Sequence, residues 1–126
     1  MTEVAHKRRC EMDNKVLKFY LWKPFPDIEG AFIAEQVSCK GGIMWDSQHG
    51  ANIIFAYVAR GPAVIEEVRR SNGRAVLVAL IKRGGSGDLK QRCLAAGASV
   101  GFYMPTHARG FKQMFTRLDA LYAQKP

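Results

Sequence analysis

Residues 75–105 read AVLVALIKRGGSGDLKQRCLAAGASVGFYMP, and the punctuation of that stretch decides the fold. Residues 75–81 are an unbroken apolar run. A strand can be apolar on alternate and intervening positions alike only where both its faces are covered, as in the middle of a parallel sheet. Lys82-Arg83-Gly84-Gly85 is a loop at the carboxyl end of that strand. Ser86 then caps a helix running through Ala96, with Asp88 in its first turn complementing the helix dipole, Leu89, Cys93 and Ala96 facing inward, and Gly97 as its stop. Residues 99–104 form a further short strand ending at Pro105.

The same alternation extends in both directions. Upstream, residues 52–59 carry a second continuous apolar run, Ile53-Ile54-Phe55-Ala56-Tyr57-Val58. After Gly61-Pro62 comes a helix over residues 63–70, with Val64, Ile65 and Val68 as its apolar face and Glu66 four residues before Arg70. Ser71-Asn72-Gly73 ends it. Farther back, residues 16–22, VLKFYLW, are β-branched and aromatic and stop at Lys23-Pro24-Phe25-Pro26, where prolines remove ladder donors. Asp27 caps a helix whose apolar positions are Ile28, Phe32 and Val37 and whose stop is Gly41-Gly42; Ile43-Met44-Trp45 is a short strand, and residues 46–50, DSQHG, are a turn or loop. Downstream, Phe111, Met114, Phe115, Leu118 and Tyr122 recur at helical spacing. Strand and helix in register imply a parallel sheet with helices on both faces, joined by right-handed crossovers, with ligands beyond the carboxyl ends of the strands.

The 126 residues, 48% hydrophobic and 24% charged, fit one globular domain over residues 15–124, and no apolar run approaches the length of a membrane span. Residues 1–14, MTEVAHKRRCEMDN, are charged throughout and lack a secretory signal's apolar core. They read as a basic tail, disordered until it meets something acidic, on a cytoplasmic protein. Cys10, Cys39 and Cys93 are scattered and form no metal-like cluster with His6, His49 or His107, so reduced thiols and no metal or cofactor are expected. The net charge of +8 suits an acidic partner, whether nucleic acid, nucleotide or an acidic protein face, without choosing among them. No G-x-G-x-x-G, Walker loop or G-x-S-x-G occurs, which ranks an enzyme last.

Residues 86–105, SGDLKQRCLAAGASVGFYMP, resemble the fourth helix and fifth strand of the response-regulator receiver family: Ser-Gly-Asp opens the helix, Leu-Ala-Ala-Gly-Ala closes it, and a hydrophobic strand ends in Pro105. Residues 52–62 are similar to that family's third strand and following loop. The resemblance covers about residues 51–122 and implies a flavodoxin-like, doubly wound, parallel five-stranded sheet. Between Lys23 and Gly50 the chain is too short for a helix, a strand and another helix, so the second helix should be missing or reduced.

Receivers accept a phosphoryl group on an aspartate ending the third strand, helped by Mg²⁺-binding acidic residues after the first strand, a hydroxyl residue ending the fourth and a lysine ending the fifth. The resemblance carries the aspartate onto Tyr57, the hydroxyl residue onto Ile81 or Lys82, and the lysine onto Met104. None can do that chemistry. No Asp or Glu lies between Asp13 and Asp27 or between Asp46 and Glu66, and Trp22, Lys23 and Pro24 stand where the acid pair belongs. The family's relay aromatic falls on Gly101, with Tyr103 on the same strand face. The family also implies a cis peptide before Pro105, for which a plain chain-terminating proline is the alternative.

The expected role is a pseudo-receiver, not an enzyme: a phosphorylation-independent interaction module in bacterial regulation. Its partner surface would carry Lys90, Arg92, Tyr103, Arg109, Lys112 and Arg117, for a regulatory protein with an acidic face or a second copy of the chain. The alternative is an anionic ligand, a cyclic dinucleotide or nucleic acid, held by Lys82, Arg83, Gly84, Gly85 and the following helix start.

Overall fold

The two apolar runs are the central strands of the sheet in a computed structural model of the chain, which describes residues 16–84 and 87–123, the side chains of 122 and 123 excepted. The basic tail at residues 1–14 and the Gly85-Ser86 part of the candidate anion loop lie outside the described residues. In chain order the elements are β1 (Lys18–Leu21), α1 (Asp27–Cys39), β2 (Ile43–Met44), β3 (Ile53–Val58), α2 (Ala63–Ser71), β4 (Val76–Ile81), α3 (Leu89–Ala96), β5 (Val100–Tyr103) and α4 (Ala108–Ala123). All pairings are parallel and the order is β2-β1-β3-β4-β5, the doubly wound arrangement expected from the sequence.

β3 and β4 are apolar on both faces because each face has its own core. Phe19, Phe55, Val78 and Leu80 pack against α1 and α4 through Ile33, Val37, Phe111 and Phe115. Ile54, Val58, Leu77 and Ile81 pack against α2 and α3 through Ile65, Val68, Leu89 and Cys93. In the first core Phe19, Phe55 and Phe115 form a ring trio, with centroids 5.7–6.1 Å apart.

Two helix starts differ from expectation. Asp27 is the first helical residue of α1 rather than its cap, which is Pro26, and the buried face is Gly30, Ile33 and Val37 with Phe32 half-buried. Ile28 is 71% exposed, because helical spacing aligns Ile33 and Val37 with Gly30 instead. α3 begins at Leu89 with Asp88 at its N-cap, two residues beyond Ser86, the cap read from sequence. Its inward face is as expected: Leu89 and Cys93 are buried and Ala96 is packed at the edge of the core.

No helix stands between β2 and β3; residues 45–52 cross as a loop. Bulky aromatics cover the sheet where a helix would lie. Trp45 packs with Tyr20 and Trp22 against the second core, Tyr20 and Trp22 meet edge to face at 6.3 Å, and Lys18 Nζ lies 4.4 Å from the Trp45 ring centroid. The indole Nε1–H donates to His49 O at 2.8 Å, tying the ring to its own loop. Trp45→Ala should therefore cost about 2 kcal/mol, below the range for a fully buried tryptophan; urea unfolding checks it, and an unchanged midpoint would mean the loop does not depend on the ring.

Candidate functional site

In a doubly wound sheet the working crevice lies beyond the carboxyl ends of the strands. Here β1 runs out through Trp22, whose N–H donates to Phe55 O at 2.9 Å, into Lys23 and Pro24, both exposed. The Lys23–Pro24 peptide is cis. The cis bond implied before Pro105 is not found, and Met104–Pro105 is trans; Met104 keeps strand-like contacts, its N–H donating to Ile81 O at 2.8 Å and its carbonyl accepting from Arg83 Nε at 3.0 Å.

The three substituted positions have unequal placements. Tyr57 is half-buried against the first core, its ring edge-on to Phe25 at 6.3 Å. Met104 belongs to that same core and is 6% exposed. Ile81 is fully buried in the other core, so of the two candidates for the hydroxyl position it is Lys82 that follows Leu80 on the Tyr57 side by strand alternation. Lys82 is exposed and its N–H donates to Val58 O at 2.9 Å.

This end of the sheet offers an aromatic, a thioether and lysines, and those donors do not fit Mg²⁺, which takes oxygen ligands. Among the described residues no group of three or more His, Cys, Asp or Glu side chains could hold a metal ion.

The other titratable groups near the strand ends have structural tasks. His107 Nδ1 and its carbonyl both accept from the Gly110 N–H, at 3.2 and 3.0 Å, closing the first turn of α4. Burial pushes the Cys93 thiol up, tempered by the Arg92 charge, so it is a poor thiolate at neutral pH.

The surface formed by α3, β5 and α4 gathers only part of the proposed set. A groove of about 480 Å³ between the end of β5 and α4 includes Tyr103 and Arg117. A second of about 290 Å³ between α3 and α4 includes Lys90 and again Arg117. Arg92, Arg109 and Lys112 line neither; Arg92 instead lies 3.9 Å from Asp88 one turn away.

Gly101, at the relay-aromatic position, faces the Lys90 stem so closely that a Cβ there would come within 3.1 Å of Lys90 Cγ. Lys90 thus lies where a ring would be. Sequence reading missed Phe102, shared by both grooves, and Leu94, 37% exposed on α3. An apolar residue off the buried stripe of α3 was the available signal for Leu94.

The loop proposed for anions has Lys82, Arg83 and Gly84 exposed, with Gly84 at φ +87°. Because α3 starts only at Leu89, its amino end stands farther along the chain from these cations than a helix opening at Ser86 would. Arg83 turns toward β5 instead, lining the larger groove.

Neither a family model nor a curated protein matches the sequence, whereas solved structures do match the fold. An orphan response regulator of H. pylori superposes with a TM-score of 0.62 at 14% identity, over 82% of this chain and 94% of that one. NtrX from Brucella abortus gives 0.60 at 14% identity over 82% of this chain but 26% of its own longer chain. TadZ, a CheY-like protein from Pseudomonas aeruginosa, gives 0.56 at 15% identity, over 82% and 94%. At such identities the likeness is one of fold. No helix among the described residues is long and apolar enough to cross a membrane. Strand order, the flanking helices and these superpositions agree: the chain folds as a response-regulator receiver-like domain whose second crossover is a loop.

Proposed function

We propose that this receiver-like domain is a pseudo-receiver: it takes no phosphoryl group, catalyses nothing, and serves a bacterial regulatory pathway by docking a protein partner on the α3–β5–α4 surface. The observation that carries the reading is the pairing of Tyr57 and Met104 in one apolar core at the place where phosphotransfer needs a carboxylate and an ammonium. What remains at the partner-facing surface suits recognition: grooves with apolar floors at Phe102 and Leu94 and cations at Lys90, Arg83 and Arg117.

Acetyl phosphate with Mg²⁺ tests the first half. The expected result is no acid-labile mass increase, and an acyl phosphate would sink the reading. Titration with a cyclic dinucleotide and with DNA at several salt concentrations tests the second half. No saturable binding is expected. Salt-sensitive binding that is lost in Lys82→Ala/Arg83→Ala would replace protein docking by anion recognition.

A further inference from the structure

Among the described residues β5 is an edge strand, with β4 on one side and no strand on the other. Just past the strand the Met104 N–H donates to Ile81 O at 2.8 Å, toward β4, in the register that pairs Ile81 with Tyr103. Backbone groups alternate in direction along a strand, so the N–H and C=O of Phe102 and Val100 also turn toward β4, and those of Gly101 and Tyr103 point to the open edge. The smaller groove wraps that edge rather than lying on one face of the sheet. Its lining takes Lys90 and Gly101 from the α3 side, and Val100, Phe102 and Arg117 from the α4 side. It continues through the shared Phe102 and Arg117 into the larger groove, making a trough along the strand. Charge is one-sided as well: Arg83, Lys90 and Arg117 line the trough and no carboxylate does.

We propose that the open edge of β5, framed by α3 and α4, takes up an extended acidic segment of a partner protein as a sixth strand of the sheet. This rests on the α3–β5–α4 surface being the docking face and adds the form of the partner. Backbone hydrogen bonds to Gly101 and Tyr103 hold the segment, and its carboxylates meet Lys90 and Arg117 on either side. Gly101 keeps the edge low by carrying no side chain, leaving the Lys90 stem as the wall.

The probe is a capped octapeptide of alternating Glu and Val, followed by amide hydrogen exchange and chemical shifts of the whole labelled chain. Expected are salt-sensitive binding, slowing of exchange at the Gly101 and Tyr103 amides, and affinity about tenfold weaker for the peptide N-methylated at alternate residues, which lacks the donors on one edge. Lys90→Glu/Arg117→Glu should shift preference to the Lys-Val peptide.

If the N-methylated peptide binds equally, or shifts spread over α3 and α4 while those two amides exchange as before, strand addition is wrong and the docking face stands. If exchange slows with protein concentration alone, the occupant is a second copy and the proposal fails. If the acidic peptide does not bind at millimolar concentration, strand addition fails. If the charge reversals leave binding of the acidic peptide unchanged, the docking face fails with it.

Discussion

Arg69→Met should unfold with a free energy about 3 kcal/mol below that of the parent, and a Tm lower by about 10 °C. Arg69 stands in the last turn of α2 and ties three separate segments together. Its Nε–H donates to Gly97 O at 2.7 Å, Nη1 to Asn72 O and Ala75 O at 3.2 and 2.9 Å, and Nη2 to Ser99 Oγ at 3.1 Å. Ser99 Oγ also accepts the Leu77 N–H at 2.9 Å, so the guanidinium, β4 and the entry to β5 are joined. Burial pulls the Arg69 ionisation below its usual value, and the four acceptors offset that cost. Gly97 makes room: at φ +123° it ends α3, and a Cβ there would come within 2.7 Å of Arg69 Cγ. Methionine fills much of the same volume and leaves three carbonyls without their donor, so the loss reports hydrogen bonding rather than a cavity. Arg69→Lys should recover less than half, since an ammonium cannot reach the same fork of acceptors. Urea unfolding of both variants is the measurement, and a methionine variant within about 0.5 kcal/mol of the parent would show the network to be dispensable.

That network is not legible in the sequence, where nothing sets Arg69 apart from the other cations. The reason is physical: a guanidinium's partners here are carbonyls from residues 72, 75 and 97, and backbone acceptors leave no trace in residue type. Burial patterns did leave one. The runs around Ile54 and Leu77 are apolar at every position because each strand meets two cores, and this alone placed them centrally. The shortfall between Lys23 and Gly50 was likewise a matter of length, and the loop over residues 45–52 is its consequence. Local helix starts were harder. Asp27 and Ser86 are residue types that cap helices, yet α1 takes Pro26 as its cap and α3 takes Asp88, because the rest of each helix must align Ile33 with Val37 and Leu89 with Cys93 toward the sheet. The candidate partner surface was half legible: charged types pointed to Lys90 and Arg117, but only the relative placement of α3 and α4 separates them from Arg92, Arg109 and Lys112.

Tyr57→Asp should not restore phosphotransfer, and it should cost about 3 kcal/mol or more at pH 7. The substitution returns the family's nucleophile to its position at the end of β3, so it separates loss of one residue from loss of the site. Tyr57 packs its ring on Phe25 and shares a core with Met104 and Leu80. Truncation removes that packing and sets a carboxylate against apolar neighbours, with a thioether where the family has an ammonium. Desolvation raises the pKa of such a carboxyl above its unfolded value. A group shifted upward contributes most favourably below its unfolded pKa and loses that contribution as pH rises through the folded one. The variant's deficit should therefore be smallest near pH 4 and grow toward pH 7, a trend the parent does not share at this position. Adding Met104→Lys supplies the missing cation and should recover part of the loss at pH 7, provided the ammonium pairs with the new carboxylate rather than being buried alone. Even the double variant has Trp22, Lys23 and Pro24 where the metal ligands belong, and should give no acyl phosphate with acetyl phosphate and Mg²⁺. Urea unfolding at the two pH values and intact mass after the phosphodonor are the readouts. Phosphorylation of the single variant would show that only the nucleophile was lost, and that the remaining geometry at the ends of β1, β3 and β5 still serves phosphotransfer.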